Sequence, residues 1–349
     1  MKTPRHILVF RFSALGDIAM TVPVIRCLLH QHPDAEITVV SVPFAAPLFE
    51  GMERLHFYPA DIRRQYKGVA GLHRLAKQLK KDISFDAIAD LHDVLRTKLL
   101  RFFLLSYRKK VIDKGRSEKK ELTRAVNKKR HPLKTTFQRY ADVFAALGLP
   151  VSLVKEQGCK PKEKWPAGFS VPGAAGKMKA GIAPFARHTA KMYPPDKMKE
   201  VVTQLAAQQN IFILLIGGKE EAPALQQWEK EIPGVKSIAG AYSFREELAI
   251  ISQLDVMVSM DSANMHLASL FGVPVVSVWG GTHPWLGFYG WGQDEQLAIQ
   301  ADLPCRPSSV FGNKDCPVHG KAGCMQSIAP GMIADKVLQV LRAVPATGV

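Results

Sequence analysis

The chain has 349 residues, 47% of them hydrophobic, and 47 Lys and Arg against 31 Asp and Glu give it a charge of +16 at neutral pH. That length exceeds one ordinary core and predicts two domains, while a mean hydropathy of −0.03 and the lack of any apolar run near ~20 residues exclude a membrane-spanning helix. The charge calls for an anionic partner, whether phosphorylated substrate, nucleic acid or membrane surface. Met1 to His6 run straight into an apolar strand without the longer apolar core of a signal peptide, so a cytoplasmic location is expected.

Strand and helix signals alternate from the start. Residues 7–12 read as a strand, 18–29 as a helix with Pro23 in its first turns, and 37–42 as a strand stopped by Pro43. A basic helix follows at 72–81, then a strand at 85–91 ending in His92-Asp93 and a helix at 97–105. Short strands joined by helices imply a parallel sheet covered on both faces. From Arg108 to Arg139 the composition shifts to thirteen basic residues against three acidic, a local balance of +10, and a helix at 136–147 closes on Gly148.

Residues 150–179 are rich in Pro, Gly and Lys and read as a linker with a short hairpin. A second alternating series follows: strand 179–183, helix 196–208, strand 211–216, helix 222–232, strand 235–238 and helix 244–252 behind Ser243. The stretch from Leu254 to Trp279 is a βαβ unit. Asp261 or Ser262 stands where strand gives way to helix, and Ala263 and Asn264 would offer backbone N–H groups to a phosphate, with His266 one turn on. The same residues also fit an ordinary capped crossover helix. The chain is irregular after residue 300 until a last helix at 333–342.

Two such series predict two doubly wound domains whose ligands lie beyond the carboxyl ends of the strands. Four loops at those ends carry suitable groups. The first, Arg11 to Asp17, lacks the G-x-G-x-x-G spacing of a dinucleotide site, and its Asp17 is either a helix cap or a general base. The loop from Ala183 to Pro194 holds Arg187 and Lys191, which could reach a diphosphate, and Gly217-Gly218-Lys219-Glu220 could grip a ribose. Five cysteines fit a reducing compartment without disulfides. Cys305, Cys316 and Cys324 cluster with His319 between them, but they are spaced more widely than the usual two to four residues of a zinc pair. Buried or loop thiols are therefore the expectation.

Arg11 to Ile18, Arg187 to Lys191 with Tyr193-Pro194, Gly217 to Glu220, and Asp261-Ser262 with His266-Leu267-Ala268 together resemble the ADP-heptose:lipopolysaccharide heptosyltransferase family, glycosyltransferase family 9. The match runs from about residue 6 to 342 in order and spacing. One position departs: Ala263 stands where members often have Gly. The resemblance implies a GT-B fold, two Rossmann-like doubly wound parallel-sheet domains facing a central cleft. It implies an inverting, metal-independent transfer of heptose from an ADP-sugar to a lipid-linked acceptor, with no cofactor. By position, Asp17 would be the base, Lys191 would bind the diphosphate with Arg187, and Glu220 would bind the adenosine ribose. Asp261, Ser262 and Ala263 would hold phosphate or sugar near His266. No Asp-x-Asp metal pair occurs in these loops.

The expected division is an acceptor domain at 1–155 containing basic segment 108–139, a nucleotide-sugar domain at 176–330, and a terminal helix and tail at 331–349. Ser13, Lys119, Lys120, Arg124 and Lys128 are candidate acceptor-binding residues. The basic segment reads as a solvated face or as an arm for an anionic lipid-linked oligosaccharide at the cytoplasmic face of the inner membrane. On the second reading, reversing Lys119, Lys120, Lys128, Lys129 and Arg130 should leave folding nearly unchanged. Its few aromatic residues offer no platform for stacking bases, so nucleic acid is not the expected partner. A GT-B transferase with another nucleotide sugar, or a non-catalytic polyanion-binding protein, is the alternative.

Overall fold

The computed structural model describes residues 3–171, 173–321 and 323–343, so the end of the expected tail, 344–349, lies outside the described residues. The chain forms two compact units. One comprises Met1–Lys114 and Lys134–Cys159, the other Gly115–Leu133 and Lys160–Val349. Segment 108–139 is therefore divided, and its middle belongs to the second unit rather than to the first as expected.

In the first unit, β1 (His6–Phe10), β2 (Glu36–Ser41), β3 (Leu55–Pro59), β4 (Ala87–Asp90) and β5 (Arg108–Val111) form one sheet in the order β3-β2-β1-β4-β5. Every pairing is parallel. Leu8, Phe10 and Ile88 are fully buried against Leu72, Leu75 and Leu79 of helix Gly68–Asp82 and Leu100 of helix Leu95–Phe103. Each such side chain contributes about 1.5–3 kcal/mol by leaving water. The first helix is broken, Leu15–Ala19 followed by Thr21–Gln31. Pro23 has no N–H to donate back to Ala19, which favours the break. Edge strand β5 reads Arg-Lys-Lys-Val and is invisible to an apolar-run search; charge on an edge strand discourages pairing with another chain.

In the second unit, β6 (Met178–Ala183), β7 (Ile211–Leu215), β8 (Val235–Ser237), β9 (Val256–Met260), β10 (Val275–Trp279) and β11 (Ala298–Gln300) are ordered β11-β10-β9-β6-β7-β8, again all parallel. Ile182, Ile213, Val258 and Val278 pack with Val201, Leu205 and Val337 of the flanking helices. Helix Phe244–Ser252 starts as its sequence demands: Glu246 N–H donates to Ser243 Oγ at 3.4 Å, and Ser243 N–H to Glu246 Oε2 at 2.8 Å.

No hairpin forms in 150–177 among the described residues; a short helix, Lys155–Gly158, and turns occupy it. Besides short-range turn and helix bonds such as Gly158 N–H to Val154 O and Phe169 N–H to Pro166 O, its backbone polar groups find partners in each unit. Gln31 Nε2 donates to Ser152 O at 2.8 Å, and Lys160 N–H to Leu270 O at 2.6 Å.

Candidate functional site

Each sheet reverses its strand order once. In the first unit the chain winds outward through β1, β2 and β3, then returns beside β1 with β4. The loops after β1 and β4 thus part at a topological switch point, where open α/β sheets bind ligands. Asp17 stands in the first turn of the helix that follows the first of these loops. Its Oδ2 lies 2.7 Å from Arg11 Nη2 and accepts the Ala14 N–H at 3.2 Å, so it serves as a helix-start carboxylate and as an ion-pair partner together. Arg11 is buried and itself anchored, donating to Leu91 O at 2.7 Å with its cation 5.9 Å from the Tyr140 ring centre. The Tyr140 hydroxyl donates to Asp17 O at 3.2 Å, and burial raises its pKa, keeping it protonated. The carboxylate is thereby held on a buried frame while its side chain stays 30% exposed.

The loop after β4 adds a residue that the sequence reading passed over. His92 is buried; its Nδ1 accepts the Phe12 N–H at 3.4 Å and its Nε2 lies 3.3 Å from Ser13 Oγ. Burial, then the charges of Arg11 and Lys114, lowers its pKa to about 3, so the imidazole is neutral and orients exposed Ser13. The signal was present as a strand running directly into His92-Asp93. The backbone N–H groups of both residues donate to Asp90 Oδ1 at 2.9 Å, and Arg101 Nε pairs with Asp90 Oδ2 at 3.1 Å.

In the second unit the reversal falls between β6 and β9. The loop after β6 carries Lys191 and the loop after β9 carries Asp261. Lys191 Nζ lies 2.7 Å from Asp261 Oδ2, with the side chains 16% and 4% exposed. The two residues assigned separately to diphosphate and to phosphate or sugar are thus one ion pair across the switch point. Arg187 is exposed on the same loop; burial, then the Lys191 and Arg187 charges, lowers the pKa of His188 between them. Ser262 begins helix Ala263–Leu270 and makes no side-chain cap bond to it; its Oγ lies 3.1 Å from Ser259 Oγ instead. The first N–H groups of that helix consequently receive no help from Ser262. Ala263 occupies the first helical position, and His266 is buried one turn on.

Glu220 is exposed in the loop after β7, while its neighbour Glu221 turns back to accept the Gly218 N–H at 2.7 Å. Glu247, another residue the sequence reading missed, faces this carboxylate. Burial first, then the Glu221 charge, pushes its pKa up to about 7. A carboxyl raised above its unfolded value favours folding at pH below that value, and the contribution is lost as pH rises through 7. Glu247→Gln is therefore expected to raise the melting temperature at pH 8 by several degrees, at about 2–4 °C per kcal/mol, and to change it little at pH 4. Equal shifts at both pH values, read by calorimetry, would contradict this.

The basic arm departs from expectation. In helix Arg116–Leu122, Lys119 is buried with its ammonium 4.0 Å from the Phe288 ring centre. Lys128 Nζ donates to Cys305 O and Pro307 O, each at 2.6 Å. Lys129 pairs with Glu121 at 3.0 Å and Arg130 lies 3.8 Å from Asp302. Leu122 and Leu133 pack with Leu286. Lys119 and Lys128, both candidate acceptor-binding residues, thus fasten the segment to its unit, which corrects the expectation that they are exposed and can be reversed at little cost to folding; reversing them would bury unpaired charge. Lys120 and Arg124 are exposed.

The irregular tail holds a further convergence. Cys305, Cys316, His319 and Cys324 bring one ligand atom each within 4.8 Å of all the others. Cysteine spacing alone does not disclose the cluster; the signal is Cys316-x-x-His319 with Cys324 five residues beyond.

Two all-parallel Rossmann-like units, each with polar and charged groups at its switch point, are the architecture of the GT-B fold. Solved structures share the architecture. The glycosyl transferase family 9 protein of Veillonella parvula superposes with a TM-score of 0.74 at 15% identity over 97% of each chain. Heptosyltransferase WaaC of Escherichia coli, solved with ADP, gives 0.68 at 18% identity over 96% of this chain and 99% of that one. By sequence, the lipopolysaccharide core heptosyltransferase OpsX of Haemophilus influenzae is 23% identical across 81% of both chains. The model of glycosyltransferase family 9 (heptosyltransferase) matches residues 72–316, and the chain belongs to that family.

Proposed function

We propose that the protein is an inverting heptosyltransferase that moves heptose from ADP-heptose to the lipid A-linked inner core of lipopolysaccharide, with no metal ion in the chemistry. The observation that carries the reading is the Lys191–Asp261 pair at the second unit's switch point, beside exposed Arg187 and the start of helix Ala263–Leu270. Departure of ADP from the anomeric carbon concentrates negative charge on the diphosphate. Lys191, Arg187 and the N–H groups at that helix start are the groups available to offset it. Glu220 is assigned the ribose hydroxyls. In the first unit Asp17 takes the proton of the acceptor hydroxyl as the new bond forms on the face opposite the leaving group. Two relatives, by name the lipopolysaccharide core heptosyltransferase OpsX and lipopolysaccharide heptosyltransferase 3, support the transferred sugar and the acceptor class.

The test is a panel of ADP-, UDP- and GDP-sugars followed by melting temperature, then transfer to a heptose-deficient lipid A-linked acceptor, with the product's anomeric configuration read by NMR. Stabilisation by ADP-heptose and an inverted product are expected. Selective stabilisation by a different nucleotide sugar would overturn the donor assignment, and binding of polyanion alone would overturn catalysis.

We assign the exposed cations of the basic arm to the acceptor or to the cytoplasmic face of the inner membrane. Among the described residues no helix is long and apolar enough to cross a membrane. The double reversal Lys120→Glu/Arg124→Glu is expected to weaken binding to anionic vesicles about tenfold or more, at about 1 kcal/mol for each basic residue near the surface. It should raise KM for a lipid-linked acceptor, with melting temperature and donor affinity unchanged. Unchanged vesicle binding and KM would make the segment a solvated face.

A further inference from the structure

We propose that Cys305, Cys316, His319 and Cys324 form a tetrahedral Cys3His site for a divalent transition-metal ion of the zinc or iron(II) class, which clasps the irregular C-terminal segment. The site is structural and independent of the sugar-transfer reading. It has four ligand atoms of the right chemistry, three thiols and an imidazole nitrogen, drawn from residues up to 19 positions apart. Cys305 Sγ lies 3.4 Å from His319 Nδ1 and Cys316 Sγ lies 3.8 Å from it. A tetrahedral ion with metal–sulfur bonds of about 2.3 Å and metal–nitrogen bonds of about 2.0–2.1 Å has sulfur–nitrogen edges of about 3.5 Å. All five cysteines are free, so no disulfide accounts for the convergence.

The backbone is built for this task. Cys316-Pro317-Val318-His319-Gly320 is a knuckle closed at both ends. Gly320 N–H donates to Cys316 O at 2.9 Å and Cys316 N–H to Gly320 O at 3.3 Å, with Gly320 at φ +67°. Gly323 comes so close to His319 that a Cβ there would sit 2.6 Å from the His319 Cβ. A bulkier residue would push the imidazole away from the thiols. Three thiolates around a divalent ion leave one net negative charge. Buried Arg306, next in sequence to Cys305, and the Lys128 ammonium on the Cys305 carbonyl are cations placed to offset it.

Physical need points the same way. Between β11 and the helical turn Gly323–Gln326 the described chain has no helix or strand, apart from the Cys316–Gly320 bridge. Loops of that length without structure are uncommon in a compact unit unless something closes them. An ion binding four side chains closes the three stretches between them at once, and its binding energy becomes folding energy. The clasped segment also reaches the switch point: a Cβ at Gly312 would lie 2.4 Å from Lys191 Cγ, and Ser308 and Ser309 N–H groups donate to Gly281 O at 2.9 and 3.0 Å.

The experiment uses the untagged full-length protein, grown with zinc and iron and purified without chelator. Metal analysis is expected to find about one equivalent of zinc or iron per chain, falling below about 0.1 in Cys316→Ser and Cys324→Ser and unchanged in Cys27→Ser/Cys159→Ser. Which of the two metals is found identifies the ion. Should the serine variants fold poorly, cobalt(II) titration of metal-free wild type replaces them. Intense visible bands of tetrahedral thiolate-bound cobalt, saturating at one equivalent, support the site. Wild type without metal and without those bands, or peptide mapping that finds a disulfide among Cys305, Cys316 and Cys324, overturns it.

Discussion

Asp17→Asn is expected to lower kcat for sugar transfer by about 10²–10⁴-fold while donor affinity stays nearly constant. The amide keeps the shape of the carboxylate, and its oxygen can still accept the Ala14 N–H and a bond from Arg11. What it loses is the capacity to take a proton. The Asp17 side chain is 30% exposed but Arg11 is 7% exposed, so losing the carboxylate charge should cost folding about 1–3 kcal/mol, with the amide oxygen keeping part of the bond. Arg11 retains Leu91 O and the Tyr140 ring as partners, but its Nε is already a buried donor without one. Single-turnover rates at saturating donor, with melting temperature as control, decide the matter. Near-normal turnover would reduce Asp17 to a helix-start residue that anchors Arg11.

Lys191→Met should have two separable effects. It leaves Asp261, 4% exposed, without the cation 2.7 Å away. Breaking a buried pair from one side costs about 3–5 kcal/mol, because the remaining charge has lost both water and partner. The partial exposure of Lys191 puts the expected loss near the lower end of that range. Lys191→Met/Asp261→Asn should recover most of the melting temperature, since neither member is then a buried orphan. The double variant should not recover ADP-sugar affinity, because the diphosphate has lost its cation, whereas adenosine should bind almost as before. Full recovery of ADP-sugar affinity in the double variant would make the pair a purely structural brace.

These two residues differ in how readily the sequence discloses them. The Asp17 loop follows an unmistakable apolar strand, and a carboxylate there is conspicuous. Its frame of Arg11, Tyr140 and Leu91 is assembled from three segments far apart in the chain. Lys191 and Asp261 each stand in a recognisable loop, but that they meet depends on β6 lying next to β9. His92 and Glu247 escaped because their character comes from burial and from neighbours. A histidine after a strand is unremarkable until Arg11 and Lys114 face it, and Glu247 is an ordinary helix residue until Glu221 is beside it.

Periodicity by itself determined that the chain is α/β with two parallel sheets, because runs of buried apolar residues separated by amphipathic helices have few other solutions. It also located the loops that carry the candidate anion-binding groups, since these follow strands whose boundaries are local. Only the tertiary structure decided the rest. Edge strand β5 is made of charged residues and owes its conformation to pairing with β4. The basic arm was one charge run in sequence, yet Lys119 on Phe288, Lys128 on two carbonyls and Leu122 on Leu286 assign its middle to the second unit. The four metal-ligand candidates illustrate the same division. Their types are written in the chain, but the 4.8 Å convergence exists only once the knuckle at Gly320 closes and Gly323 admits His319. Local propensity sets the elements, whereas burial, charge and ligand geometry depend on which distant segments the packed core brings within a few ångströms.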